Sequence, residues 1–341
     1  MGALVSTSLL LALPAQGARH KVGDRFCATH GALSAAALPA RVSADRCDLI
    51  GRRVTHGSLS LRVPPPGLGV AAAAIGPGGE SELAVTTLSD GTVRIDRSGS
   101  SEAVTVFGTG EPEPCDSPSA DGCLDPCTDT NHHVSLPKRK VREKQPWYFK
   151  QTTTPASLTQ QDALAQIKLG TQNIVKVNND CARSDFISRT AAYKGTTTTG
   201  TGITIKHPSS GPRNSCSQDG KNVVDFGKLV PLSPGADPPA GLACTSYTST
   251  PPRFIVEADI RLNKDTAWTI TPDDPECFNL INLQGVVTHE RGHAFGLSHT
   301  DVDSTTPYSH LPQTMFPASY PCSSYNNTLG LGDIQALNEL Y

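Results

Sequence analysis

Residues 289–299 read HERGHAFGLSH, and the spacing of the three histidines suits a single metal ion. An α-helix turns about 100° per residue, so His289 and His293 lie on one helix face, about 6 Å apart along the axis. Gly296 tolerates the left-handed conformation that commonly ends a helix, after which the chain can bring His299 back to the same ion. Three imidazoles leave the fourth tetrahedral position of zinc open. The segment therefore predicts one catalytic zinc ion held by these three histidines.

Glu290 directly follows the first histidine and is suited to act as a general base. A carboxylate beside the ligands can take a proton from zinc-activated water and return it to the leaving nitrogen of a peptide bond. A lone H-E-x-x-H pattern also occurs by chance on charged helices. The longer pattern fixes five positions, and its accidental occurrence in a chain of this length is on the order of one in ten thousand. We therefore predict a zinc-dependent endopeptidase with Glu290 as its catalytic residue.

The same segment resembles the zinc signature of the metzincin peptidases, and its glycines are most similar to those of the matrixins. Metzincins have a methionine turn beneath the metal, and Met315 in Gln-Thr-Met-Phe-Pro resembles it. An ordinary core methionine is the alternative interpretation. The resemblance also implies that residues near this turn line the pocket for the side chain after the cleaved bond, with Phe316, Pro317 and Tyr320 as the candidates.

A weaker resemblance extends over residues 127–341 and is closest to secreted bacterial matrixin-like peptidases. Residues 257–262 resemble the sheet strand before the active-site helix, and residues 222–227 resemble the edge strand along which the substrate lies. Residues 329–337 resemble the last helix, with Asp333 as its N-cap. The resemblance implies an α+β fold: a metzincin-like catalytic domain with a twisted mixed sheet, an active-site helix and a Met-turn.

Several residues depart from neighbouring families. Thr300 stands where astacins carry Glu, and His299 stands where snapalysin-like enzymes carry an Asp ligand. The sequence has no counterpart of the matrixin proline-arginine-cysteine-glycine latency switch. The nearer alternative is a metzincin of another subfamily, astacin- or snapalysin-like. The other alternative is a non-catalytic zinc-containing binding or adhesion protein, and the presence of Glu290, which serves chemistry rather than ligation, argues against it.

The active-site helix must be held by a core, and 341 residues with 37% hydrophobic content can bury a sizeable one. Val286 and Val287 belong to the apolar face predicted to point toward that core, and Asn279 is a candidate N-cap. Apolar spacing over residues 157–177 predicts a second helix, interrupted or weakened at Gly170.

Residues 19–110 differ in sequence pattern from the rest of the chain. Short segments in which apolar and polar residues alternate are separated by Pro- and Gly-rich turns. The predicted strands are residues 58–63, 82–86, 92–96 and 103–107. We expect a small β-rich N-terminal domain, a sandwich or partly open sheet, which serves as a propeptide, a substrate-binding module or a spacer. Residues 111–126 form a linker rich in Cys, Asp and Pro. Its carboxylates make calcium binding conceivable, although the spacing fits no EF-hand loop.

Ten cysteines without a C-x-x-C pair indicate disulfides rather than a second zinc site. A boundary at residue 127 leaves six cysteines in the catalytic unit, and we expect these to pair with one another. Upstream, Cys47 pairs with Cys27 in the simpler interpretation, and a Cys47 thiolate bound to the zinc is the alternative. Residues 1–18 resemble a signal peptide that lacks the usual basic start. These features predict a secreted, extracellular protein.

The overall charge argues for protein or peptide substrates rather than polyanions. The formal net charge is −3, so we expect no nucleic-acid partner. Beyond the N-terminal segment, no apolar run approaches the length of a membrane span. We expect a monomer.

Overall fold

The computed structural model of the chain describes residues 31–75, 81–98, 123–232, 235–301 and 309–341. The part before residue 99 is built mainly from strands. They are β1 (Leu33–Ser34), β2 (Arg41–Ser43), β3 (Arg53–His56), β4 (Leu59–Arg62), β5 (Leu68–Ile75), β6 (Ser81–Thr87) and β7 (Thr92–Ser98), with the short helix α1 (Ala44–Cys47) and a 3-10 turn at Ala35–Ala37.

Three N-terminal strands predicted from alternation are present as β4, β6 and β7. The fourth, residues 103–107, lies outside the described residues. Strand β5 was not predicted, because its centre is a run of four alanines, and alanine is depleted in strands. Its neighbours in the sheet therefore decide its conformation.

The part from residue 123 onward contains three longer helices and the remaining strands. The helices are α2 (Gln160–Lys176), α3 (Leu283–Phe295) and α4 (Leu331–Leu340), with 3-10 turns at Gln151–Thr153 and Tyr325–Asn327. The strands are β8 (His133–Val134), β9 (Arg139–Val141), β10 (Lys144–Phe149), β11 (Thr190–Thr196), β12 (Thr204–Lys206), β13 (Arg213–Ser215), β14 (Val223–Gly227), β15 (Gly241–Thr248), β16 (Arg253–Asn263), β17 (Trp268–Thr269), β18 (Ile281–Asn282) and β19 (Leu297–Ser298).

One large mixed sheet organises the molecule, in the order β11-β10-β14-β16-β15-β5-β6-β7-β2. The pairs β11–β10, β10–β14 and β14–β16 are parallel, and β16–β15 is antiparallel. Helices and sheets thus make a mixed α+β fold consistent with the predicted class. Helix α3 packs on β15 and β16, and α2 packs on α3.

The N-terminal strands share sheets with the later part of the chain. Strand β5 pairs antiparallel with β15, and β4 pairs parallel with β13 in a second sheet of order β1-β3-β4-β13-β12. The sheets therefore continue across the sequence position at which we predicted a domain boundary. The boundary at residue 127, as a limit of independent folding, stays a prediction.

The predicted edge strand at residues 222–227 is wrong. Strand β14 lies inside the sheet, between β10 and β16. Val223, Val224 and Phe226 are all buried, which is typical of an interior parallel strand covered on both faces. The next strand after β16 is β15, and it is the strand of the sheet that lies beside the predicted active site.

Helix α2 is continuous through Gly170, so the predicted interruption there is wrong. The glycine is required by packing rather than by a break. A Cβ at this position would lie 2.8 Å from Val287 Cγ1 and 2.9 Å from the Gln284 carbonyl oxygen of α3. The missing side chain lets the two helices approach closely.

Two predicted N-caps are also wrong. Helix α3 is capped by Asn282, whose side chain accepts from the Gln284 amide at 3.1 Å, and not by Asn279. Gly330 precedes α4, and Asp333 is its third residue, where it accepts from the Gly330 amide at 2.9 Å. Within the described residues, no helix combines the length and apolarity needed to cross a membrane.

The six cysteines from residue 127 onward pair with one another, as predicted. The disulfides are Cys127–Cys181, Cys216–Cys244 and Cys277–Cys322. Cys47 is disulfide-bonded, so the alternative of a Cys47 thiolate on the zinc is wrong. Cys27 and Cys115 lie outside the described residues.

Candidate metal centre

Helix α3 and the turn after it bring the three predicted histidines together. His289 and His293 project from one face of α3, and the helix ends at Gly296 with φ 100°. A Cβ on Gly296 would overlap the Arg139 carbonyl oxygen, so both its conformation and its surroundings require glycine. Strand β19 then returns the chain and places His299 beside the other two rings.

The three rings converge through their Nε2 atoms. The Nε2–Nε2 distances are 3.0 Å for His289–His293 and 3.1 Å for each of the two pairs with His299. His289 Nδ1 lies 2.7 Å from the Thr314 carbonyl oxygen, and His293 Nδ1 lies 3.1 Å from that of Leu297. A carbonyl only accepts, so both Nδ1 atoms carry the proton and both Nε2 atoms are lone-pair donors.

Burial keeps these imidazoles neutral. The three side chains are between 0% and 2% exposed. Burial, reinforced by the neighbouring imidazole, lowers the pKa of His293 to about 3 and the pKa values of His289 and His299 well below their usual range. Neutral imidazole is the form that binds metal ions.

Three converging lone pairs cannot hydrogen-bond one another, but they fit a cation. In tetrahedral zinc sites the Zn–N distance is about 2.0–2.1 Å, which separates the nitrogens by about 3.4 Å. The observed separations are slightly shorter, so small side-chain adjustments accommodate the ion. The donor set therefore fits zinc.

Glu290 is fully buried next to His289 and faces the start of β15. A Cβ on Gly241, the first residue of β15, would overlap Glu290 Oε1. The carboxylate thus lies against the backbone of a sheet strand. A peptide backbone running along the start of β15 would be near this carboxylate.

Met315 packs against α3, and its assignment as a Met-turn stays a prediction. A Cβ on Gly292 would overlap Met315 Sδ, so helix and turn are in close contact. The preceding residue, Thr314, supplies the carbonyl that orients His289. The turn therefore helps to position a candidate ligand.

Asp333 holds this turn, a role that sequence reasoning missed. Its carboxylate accepts from the Thr314 amide at 2.8 Å and from the Met315 amide at 3.1 Å. Burial raises the pKa of Asp333 to about 6, although these amide hydrogen bonds favour the charged form. The residue stood out in the sequence only as a helix cap.

Comparison with protein families agrees with this geometry. Residues 238–341 match the family model described as matrixin. This part of the chain is similar to the matrixins. A search of curated proteins gave no match. We call residues 238–341 the matrixin region; it begins just before β15 and contains α3, the three histidines, the Met315 turn and α4.

The predicted pocket residues lie at the Met315 turn of the matrixin region. Phe316 and Pro317 are buried and Tyr320 is half-buried. Their assignment to a substrate pocket stays a prediction.

Arg291 fixes the active-site helix of the matrixin region to the sheet. It is fully buried, donates to Gln145 Oε1 at 3.0 Å, and stacks over the Trp147 ring at 5.3 Å. Burial lowers its pKa to about 9. The sequence did not predict this role, because Arg291 occupies a variable position of the zinc motif and an arginine there is not expected to be buried.

Glu82, in strand β6, contacts the matrixin region beside the third histidine. Ser298 Oγ donates to its carboxylate at 2.7 Å, and the His299 amide donates at 3.2 Å. His299 Nδ1 lies 3.4 Å from Glu82 Oε1. No local signal could have identified this contact, because it joins residues more than 200 positions apart.

Proposed function

We propose that the chain is a secreted zinc-dependent endopeptidase in which His289, His293 and His299 bind the metal and Glu290 is the general base. The observation that supports this most is the convergence of three neutral imidazoles through their Nε2 atoms, with the buried Glu290 directly after His289 in the same helix. The matrixin match over residues 238–341 supports a zinc peptidase independently of the geometry. It also favours a matrixin-like enzyme over an astacin- or snapalysin-like one.

When bound, zinc would supply Lewis acidity to a water molecule and to the scissile carbonyl. Glu290 takes the proton of that water and delivers it to the leaving nitrogen. The Thr314 and Leu297 carbonyls hold His289 and His293 in the ligating tautomer. A carboxylate that is not needed for ligation favours this reaction over a purely structural zinc site.

The substrate is an extended peptide that pairs with β15. A strand added to a sheet edge is held by backbone hydrogen bonds, so such binding needs little side-chain specificity. Gly241 at the start of β15 touches Glu290, so a peptide paired with this strand brings its backbone to the base.

The paired cysteines support an extracellular location. Disulfides persist in oxidising compartments, and none of the described cysteines is free. Secretion through a signal peptide at residues 1–18 stays part of the proposal.

The test combines metal content with proteolysis by the full chain. We expect one zinc per chain, located by anomalous scattering at the three histidines, and cleavage of an unfolded protein that stops when a chelator removes the metal. Readdition of zinc should restore it. Zinc bound elsewhere, or cleavage that continues without metal, would overturn the proposal.

A further inference from the structure

Strand β5 pairs with β15 along the whole length of that strand. The antiparallel register runs from Leu68 opposite Thr248 to Ile75 opposite Gly241. Residues 71–74 are four alanines, whose small side chains allow β5 to lie close to its neighbours. Ala71 belongs to the same buried cluster as Ala243 of β15 and Phe295 of α3.

This pairing uses the strand edge that a substrate needs. A strand has two hydrogen-bonding edges, and one edge of β15 is already paired with β16. The other edge is occupied by β5. An extended peptide therefore cannot pair with β15 while β5 remains in place.

Glu82 adds a second contact, at the metal centre itself. Through Ser298 and the His299 amide it ties β6 to the segment that carries the third histidine. Consistent with a covered site, the side chains of His289 and Glu290 are 0% exposed. A peptide bond cannot reach a base without exposed surface.

The contact between the two parts of the chain is not densely packed throughout. A cavity of about 710 Å³ lies between β5–β7 on one side and His133, Arg139 and His299 on the other. Arg139 is 7% exposed, and its Nε and Nη1 atoms have no hydrogen-bond partner among the described residues. An open cleft forms fewer packing contacts than a close-packed core, and closure gives these Arg139 nitrogens no hydrogen bond, so this contact can open at lower cost.

We propose that residues 68–75, locked by Glu82, occupy the place of the substrate and hold the peptidase latent. The inference rests on the proposed function. In this state β5 blocks the edge of β15, and activity requires that β5 leaves β15. No thiol of the described residues takes part, since none of their cysteines is free.

The test uses full-length variants that loosen β5 and leave the three histidines and Glu290 unsubstituted. A Cβ on Gly69 would overlap the buried ring of Tyr247 in β15, so Gly69→Leu forces the strands apart. Glu82→Ala removes the second contact and introduces no bulk. Ala36→Leu is the matched control, because it adds bulk at an exposed position of the same N-terminal part.

Each variant is assayed for bound zinc, for cleavage of an unfolded protein, and for hydrogen exchange of the Gly241–Thr248 amides. We expect Gly69→Leu and the combined variant to raise turnover per zinc by about tenfold or more, the effect of an overpacking clash that acts on the closed state alone. Glu82→Ala should raise it by about tenfold, because it removes hydrogen bonds to a charged group from the same state. Exchange over Gly241–Thr248 should quicken in parallel. Ala36→Leu should behave as the unaltered chain.

Equal turnover per zinc in the unaltered chain and in both single variants would overturn the latency and leave the peptidase function standing. A combined variant that binds zinc and exchanges quickly over Gly241–Thr248, yet cleaves nothing, would instead overturn the peptidase function. Should Gly69→Leu fail to fold, Glu82→Ala alone still decides, because it adds no atoms.

Discussion

At the scale of single residues, the proposed role of Glu290 depends on both its carboxylate and the surroundings of that carboxylate. Its carboxylate is buried one residue after His289 and lies against the first residue of β15. A glutamate on an exposed helix face would lack both neighbours. The surroundings give this residue its proposed role as the base.

Replacing Glu290 by Gln removes the base but no proposed ligand. In the combined Gly69→Leu, Glu82→Ala background, we expect Glu290→Gln to keep one zinc per chain and to lower kcat by about 10²- to 10⁴-fold, the usual contribution of general base catalysis. Zinc analysis and steady-state kinetics measure the two effects. Glu143→Gln, at an exposed position, is the control. A loss of activity smaller than about tenfold would contradict the role of Glu290.

At the scale of elements, α3 is held by a close contact with α2 and by the turn that Asp333 fixes. Both supports are tertiary, because α3 carries two glycines and two β-branched valines and is a modest helix former by itself. Each support can be tested by one substitution far from the metal.

Gly170→Ala tests the helix contact. Alanine favours helix over glycine by about 1 kcal/mol, but here the new methyl meets Val287 and the α3 backbone at 2.8–2.9 Å. We expect the overpacking to dominate and the free energy of unfolding to fall by about 1–3 kcal/mol in urea titrations. Gln172→Ala, at an exposed position of α2, should change it by less than about 0.5 kcal/mol. A stabilised Gly170→Ala protein would show that the helices can move apart freely.

The shifted pKa of Asp333 should make the free energy of unfolding depend on pH, and the sign of that dependence follows from the direction of the shift. Burial raises its folded pKa from 3.8 to about 6, so the folded state binds this proton more tightly than the unfolded state. The contribution of this proton to the free energy of unfolding is fully present below about pH 4 and is lost as the pH rises through about 6.

Asn cannot ionise, so the unfolding free energy of Asp333→Asn minus that of the unaltered chain should increase by about 2 kcal/mol between pH 4 and pH 7. Urea titrations with chelator at both pH values measure it, since zinc then contributes to neither protein. A difference that shrinks with pH would mean that the three amide hydrogen bonds outweigh burial and depress the pKa.

At the scale of the whole molecule, sheets and disulfides join distant parts of the chain. Strands β4 and β5 enter sheets formed with β13 and β15, and each described disulfide spans at least 28 residues. The Cys277–Cys322 bridge connects the segment before α3 to the segment after Met315. It closes the loop that contains every proposed ligand.

Removing that bridge should destabilise the molecule substantially. For a separation of 45 residues, loop-closure entropy amounts to about 4 kcal/mol of lost unfolding free energy in Cys277→Ser/Cys322→Ser. Urea unfolding under oxidising conditions measures it. After full reduction the variant and the unaltered chain should unfold alike, and a difference that persists there would mean that the serines, rather than the missing bridge, cause the loss.

The sequence by itself determined what depends on local spacing. The i, i+4 placement of His289 and His293, the left-handed turn at Gly296 and the alternation of β4, β6 and β7 each follow from a few adjacent residues. Even local cues failed where a tertiary contact overrode them: Gly170 lies inside a continuous helix, because α3 needs the space.

Only the tertiary structure decided which strands become neighbours and which distant groups meet. Both β14 and β15 are buried strands inside the sheet, and strand pairing is set by distant residues, so the local sequence could not tell which one lies beside Glu290. The four alanines of β5 have no strand preference, and they pair with β15 because both its neighbouring strands and the core beneath favour a strand there. Glu82 reaches His299 across more than 200 residues for the same reason. Long-range pairing depends on the summed burial of many residues, which no local pattern records.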